Sequence, residues 1–343
     1  LPDSNKIICC FGELLLRFSP QMQAVFINEA SMPVYVGGAE LNVATALAKW
    51  EVPVKYLTAL PDNYLSKEII DWLSKKNIDT SDIIFCGERI GIYYLPQGAD
   101  LKHNAVIYDR NHSSFASLVP GQIDWEKVFE NVSWLHLSAI SPALNANAAE
   151  VCVEAVKAAA KKNITISIDL NYRAKLWQYG KPPFEIMPAI VEHCDVVMGN
   201  VWSAESLLGI KVGDDFSHEC ATQETYLQQA NKTAAEIMQR FPKCKMVANT
   251  FRFDEGAGIR YFATLKNKSG SFNSAIYSTQ NIVDKVGSGD CFMGGLIYGI
   301  YNNNSAQDII NYAAAAAFSK LNIKGDATSS SVEDIKKIII SHG

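Results

Sequence analysis

Short apolar runs separated by stretches of helical period recur along this chain, and that rhythm restricts its fold more than any other feature. The runs are 7–11, 54–60, 134–137, 164–170, 196–198 and 246–250, and the helical stretches are 39–50, 67–76, 148–162, 185–193 and 225–240. A strand that is apolar along its whole length must be covered on both faces, and helices that return the chain between such strands supply the cover. The alternation therefore predicts βαβ units and a mostly parallel α/β sheet. Past Gly289 the chain turns helix-rich, with CFMGGLIYGIYN, IINYAAAAAFSKLN and VEDIKKIII in succession.

Two stretches, 13–36 and 88–112, break the rhythm with polar and apolar residues alternating over short spans, as in RIGIYYLP and NAVIYDR. A period of two fits half-exposed strands. Read together, they form one discontinuous β-lid on a single domain spanning 1–343; read apart, they are two unrelated surface hairpins.

Composition narrows the function classes. The 343 residues are 48% hydrophobic and 20% charged, enough to bury a full core without disulfide or metal staples. A net charge of −5 with no basic run argues against nucleic acid as a partner. Eight scattered cysteines without a CxxC pair read as buried thiols in a reducing compartment. The opening LPDSNKIICC lacks the basic and long apolar regions of a signal peptide. No apolar run approaches the roughly 20 residues of a membrane span. The expectation is a soluble, cytoplasmic protein with no membrane partner. None of the six histidines has the spacing of a transition-metal site.

Three segments could carry chemistry. In Asp284-Lys285-Val286-Gly287-Ser288-Gly289-Asp290, two glycines around a serine let backbone N–H groups converge at a helix start, which favours an anion. A carboxylate there would repel a phosphate, unless Asp290 takes a proton from a hydroxyl that attacks it. The plainer reading is a Gly-Ser-Gly turn with Asp290 as an ordinary helix N-cap. The loop is neither GxxxxGK[ST] nor GxGxxG, because Phe292 stands at the last glycine position of the latter. Gly37-Gly38-Ala39-Glu40-Leu41-Asn42 is either a tight turn opening a helix or a place where a ligand approaches the backbone near Asn42. Asp169-Leu170-Asn171-Tyr172-Arg173 ends a predicted strand, where ligands of open α/β sheets collect. Arg173 there could hold a carboxylate or phosphate, or pair with an acid of the protein.

Together, GGAELN at 37–42 and DKVGSGD at 284–290, on this alternation, resemble the two signatures of the PfkB, or ribokinase-like, family of carbohydrate kinases. The resemblance runs nearly end to end. It implies a doubly wound α/β domain with helices on both faces and a β-lid through which copies often dimerise. It implies ATP and Mg²⁺, with Asp290 as the base and the amides of Gly287, Ser288 and Gly289 as the anion hole. Asn200, Thr250, Arg252, Gly256 and Gly258 fall where the family binds ATP phosphates, and Asn311 lies near the adenine region. The family's N-x-x-E motif departs here, since Ser203 stands three residues after Asn200 and the acid Glu205 comes five after. Glu205 is a candidate substitute, reaching the metal through water.

Within the family, FGELLLRF at 11–18, GIYY at 91–94, VIYDR at 106–110, DLNYR with Lys175-Leu176-Trp177, and Gly325-Asp326 look like 2-keto-3-deoxygluconate kinases. That resemblance implies substrate contacts from Gly37, Gly38, Asn42, Tyr93, Tyr108, Arg110, Arg173 and Asp326. Two arginines at predicted site edges suit a sugar acid. The alternatives are another kinase of the family, acting on fructose, ribose or a nucleoside, or a non-catalytic sensor on the same scaffold.

Overall fold

The computed structural model describes residues 6–21, 31–97, 106–213, 216, 222–256 and 258–342. Its large sheet has ten strands. Read across, nine of them run Gly270–Asn273, Gly258–Asn267, Met246–Glu255, Val196–Gly199, Thr165–Asp169, Val132–Ser138, Ile7–Phe11, Val54–Leu57 and Ile78–Asp79. Tyr277–Thr279 pairs with Gly258–Asn267 off this path. From Met246–Glu255 to Ile78–Asp79 every pairing is parallel, and the other edge is antiparallel.

Alternation along the strands assigns side chains to two cores. In IICCF, Ile8 and Cys10 join one core while Cys9 and Phe11 join the other. Val196 and Met198 likewise face one side and Val197 the other. One layer contains the helices Ala39–Lys49, Ser288–Tyr301 and Ala306–Lys320, whose small residues permit close packing; a Cβ on Gly295 would lie 2.7 Å from Ala313 Cα. The opposite layer is built around Ala146–Lys161. His136 is buried in this sheet, where burial lowers its pKa to about 3 and Ser167 Oγ lies 3.0 Å from its Nδ1. Seven cysteines are thiols among the described residues.

The structure corrects three details of the predicted elements. The run 54–60 divides, because Ala59–Leu60 leaves the large sheet and pairs with Ile84–Phe85. The stretch 185–193 holds two short helices, Pro183–Ile186 and Pro188–Val191, since Pro188 cannot donate a helical N–H. The strand at 246–250 continues to Glu255 and returns in a hairpin through Gly258–Asn267, which the parallel reading had not anticipated.

A second sheet, four-stranded, stands apart in the order Val34–Gly37, Leu15–Phe18, Gly91–Tyr94, Ile107–Asp109. Its strands come from the stretches 13–36 and 88–112, of which 22–30 and 98–105 lie outside the described residues. Register sets its faces. Arg17, Tyr35, Tyr93 and Tyr108 share one face, while Phe18, Val34, Tyr94 and Ile107 share the other. Among the described residues no helix is long and apolar enough to cross a membrane.

Candidate active site

A cavity of about 270 Å³ opens where the four-stranded sheet meets the carboxyl ends of the parallel strands. Three adjacent strands deliver Asp169–Arg173, Met198–Ser203 and Thr250–Phe253 to its wall. The helix starts at 38–42 and 287–290 close one side, and Tyr93, Tyr108 and Arg110 come from the small sheet. Asn42 and Asp290, 248 positions apart in the sequence, therefore meet on one wall of this space.

The 284–290 loop is held from its first residue. Asp284 accepts from Val286 N at 3.0 Å, from Gly325 N at 3.2 Å and from Arg17 Nη2 at 2.7 Å. Gly287 follows in the left-handed region, φ 77°, and a Cβ there would lie 1.7 Å from Asp326 O. Only glycine fits this turn. Gly287, not Asp290, caps the helix Ser288–Tyr301, and among the described residues no side chain caps that first turn. Gly289 is exposed, and a Cβ added to it would meet only Met198 Cε, at 4.0 Å. The protein leaves open the space above this amide. Open amides at the positive end of a helix dipole form an anion cradle.

Asp290 lines the cavity one residue further on and accepts from Asn42 Nδ2 at 2.7 Å. Burial raises its pKa to about 7, opposed by the Asn42 hydrogen bond, reinforced by the charge of Glu40 and opposed again by Arg173. A carboxyl so poised exchanges protons near neutrality, as a general base must. Asn42 is fixed in turn by its helix, whose Gly38 has φ 137° and lies against Glu13 O. Its Oδ1 is buried without a hydrogen-bond partner among the described residues, and Asn42 lines the cavity.

The two arginines differ. Arg110 is 5% exposed and donates from Nε to Glu13 Oε2 at 2.6 Å, with a second contact through Nη2. Ser113 Oγ donates to the other oxygen of Glu13. The charge of Arg110 is thus already matched inside the protein. Arg173 is half-buried at the wall, donates to Tyr172 O at 3.1 Å, and makes no ion pair among the described residues. It remains available to an anion.

Asp326 and Tyr93 are both buried on the wall, and Tyr93 OH donates to Asp326 Oδ2 at 2.8 Å. Asp326 also pairs with Arg17 Nε at 2.8 Å. Its carboxylate is therefore engaged by the protein, not by solvent. Tyr94, next in the strand, turns to the opposite face against Phe18. Tyr108 lies beside Tyr93, ring centroids 6.3 Å apart.

Other expected residues divide. Gly38, Asn200, Thr250, Arg252, Ser288 and Gly289 line the cavity, whereas Gly37 backs onto Asp326. Gly256, Gly258, Asn311 and Glu205 are not on its wall. Gly256 forms the left-handed turn of the 255–258 hairpin, and Gly258 lies against Thr279 O. Asn311 accepts from Gln307 on its own helix. Glu205 accepts from Val212 N at 3.3 Å, securing the loop that follows its helix. Asn200 caps that helix through Ser203 N at 2.8 Å. The sequence reading passed over Asp169 as a site residue. Its carboxyl lines the cavity, and burial, then the charge of Asp290, raises its pKa to about 8. The strand-end position was the available signal.

Known proteins share this fold. A 2-dehydro-3-deoxygluconokinase from Thermotoga maritima superposes with a TM-score of 0.87 at 34% identity, covering 98% of this chain and 99% of that one. A PfkB family carbohydrate kinase from Listeria grayi gives 0.83 at 28% identity, with 98% and 99% covered. A 2-dehydro-3-deoxygalactonokinase from Haloferax volcanii is 24% identical over 329 residues, 96% of this chain and 95% of its own. The model for pfkB family carbohydrate kinases matches residues 5–333. With its glycine-capped anion cradle, its aspartate and its ribokinase-like α/β fold, the chain belongs to the PfkB family of carbohydrate kinases.

Proposed function

We propose that this chain transfers the γ-phosphoryl group of ATP to a hydroxyl of 2-keto-3-deoxygluconate, the acid also called 2-dehydro-3-deoxygluconate, giving its 6-phosphate. The observation that carries this reading is Asp290, a carboxyl with a pKa near 7 at the mouth of an open anion cradle, with the unmatched Arg173 on the same wall. Asp290 removes the hydroxyl proton as that oxygen bonds to the γ-phosphorus. The bond from phosphorus to the bridging oxygen breaks, and ADP leaves with the electron pair. The amides of Gly287, Ser288 and Gly289 stabilise the charge on the phosphoryl oxygens. Arg173 holds the sugar-acid carboxylate, and the unpaired Oδ1 of Asn42 accepts from a sugar hydroxyl. Tyr93 and Tyr108 form the apolar side of the sugar pocket. Asn200, Thr250 and Arg252 face the nucleotide.

The donors on the wall do not make a direct Mg²⁺ cage. Asn200 and Glu205 are committed to backbone amides, and among the described residues no group of three or more His, Cys, Asp or Glu is placed to hold a metal. Mg²⁺ is best carried on phosphate oxygens and water, where it neutralises charge.

The four-stranded sheet serves as a lid on the sugar side. Its outer row of Val34, Phe18, Tyr94 and Ile107, with Val34 48% and Ile107 63% exposed, suits a second copy of the chain in a homodimer. Light scattering on the purified protein tests this. The substrate is tested by measuring ADP release from ATP and Mg²⁺ with a panel of sugars and sugar acids. The reading expects the 2-keto-3-deoxy acid to give the highest kcat/KM, and more efficient turnover of fructose or ribose would overturn it.

A further inference from the structure

Lys320 has no exposed surface (0%), although its side chain ends in an ammonium. It closes the helix Ala306–Lys320, and its Nζ donates to Ile323 O at 2.9 Å. Burying an ammonium costs stability that an apolar side chain of similar volume would not. A cation at a helix C-terminus recovers part of that cost from the helix dipole. Burial lowers the pKa of Lys320, while the charges of Asp284 and Asp326 support its protonated form.

The position of the ammonium gives it a role. Val283 N and Asp284 N both donate to Leu321 O, at 2.8 and 3.2 Å. Ser288 Oγ donates to Ala317 O at 3.1 Å, and Cys291 Sγ to Ala316 O at 3.2 Å. The last turn of Lys320's helix and the 321–326 loop are thus the floor on which the 283–291 segment lies. Gly287 rests directly on Asp326 O. Two carboxylates, Asp326 in this floor and Asp284 in the segment lying on it, share Arg17 at 2.8 and 2.7 Å. Arg17 matches one of the two carboxylate charges, and Lys320, whose protonated form both carboxylates favour, is a second cation buried nearby.

We propose that Lys320 is a positioning residue for phosphoryl transfer, a built-in counter-ion that pins the 321–326 loop and keeps the floor of the Gly287–Gly289 cradle neutral. A net negative floor would oppose the anion that the cradle binds. A displaced 321–326 loop would move Asp326 O away from Gly287 and let the amides turn. The inference rests on the kinase reading of the site but not on the identity of the sugar.

The experiment compares wild type with Lys320→Met, Lys320→Gln and Lys320→Ala, using whichever sugar of the panel the wild type phosphorylates best. A wrong sugar assignment then appears in the wild type alone. Folding is read by near-UV circular dichroism. The expected result is a kcat lowered about 10- to 100-fold with sugar KM changed by no more than about threefold and nucleotide KM raised. Ammonium or methylammonium chloride should partly restore the Lys320→Ala variant, and sodium chloride at the same ionic strength should not. If the variants fail to fold, ammonium-dependent refolding of Lys320→Ala carries the same meaning. Folded variants with wild-type kcat, or no effect of ammonium on either folding or turnover, would overturn the proposal.

Discussion

Asn42 Nδ2 donates to Asp290 Oδ2 at 2.7 Å, joining the first helix of the chain to the helix that begins at the anion cradle. The bond favours the charged carboxylate, while burial favours the neutral acid, and burial is the larger effect. The pKa near 7 is the balance of the two.

Removing the donor should therefore shift the titration. With Asn42→Ala, the acid limb of the kcat–pH profile should move upward from about 7, because the carboxylate loses a stabilising hydrogen bond. Activity at neutral pH should fall by roughly 10-fold or more. A steady-state profile measures this, and a limb that stays in place or moves downward would dissociate Asn42 from the base.

The two arginines should respond differently to truncation. Arg173→Ala should raise the KM of the sugar acid by about 10- to 100-fold while leaving the KM of ATP nearly unchanged. Arg110→Ala should act chiefly on stability, because Glu13 is left charged and buried beside it. Losing one partner of such a pair costs about 3–5 kcal/mol, readable as a lower Tm or urea midpoint.

Gly287→Ala places a Cβ at 1.7 Å from Asp326 O on a backbone of φ 77°. The loop must move, and the cradle amides move with it. The expected result is kcat reduced by at least about 100-fold, with the KM of the sugar acid less affected. Near-normal kcat would mean that the cradle is not formed at Gly287.

Asp290 also links activity to stability. Its folded pKa, about 7, lies above the unfolded value of 3.8, so its favourable contribution is full in acid and is lost as pH rises through about 7. Above that pH the folded protein holds a poorly solvated charge. Asp290→Asn removes that charge, so its Tm relative to wild type should improve between about pH 6 and about pH 8. Differential scanning calorimetry at both pH values checks the sign.

Much of this was legible in the sequence. Short apolar runs rich in β-branched residues and spaced by helical stretches point to strands covered on both faces, so the parallel sheet followed from IICCF and its counterparts. GGAELN and the 284–290 loop each allowed a plain turn-and-helix reading, and their meeting in space could be expected only from the resemblance. Charge pairing was hidden. Arg110 and Arg173 look alike in sequence, but a glutamate 97 positions away neutralises Arg110. The same holds for Asp326, whose partner Arg17 stands at the other end of the chain. The antiparallel hairpin after Met246–Glu255 was missed because its return strand, GIRYFATLKN, is covered on both faces near its middle and shows no clean alternation. Glu205 is the acid nearest the family's N-x-x-E position, and the sequence does not reveal that it accepts from Val212 N.

The central claim is that Asp290 is the base of a phosphoryl transfer. The most direct test is kcat for 2-keto-3-deoxygluconate, with ATP and Mg²⁺, in wild type and Asp290→Asn. The variant keeps the size of the side chain and can still accept from Asn42, so binding should survive. A fall of about 10²–10⁴ in kcat, with both KM values within about threefold, is the expected result. Full turnover by Asp290→Asn would contradict it.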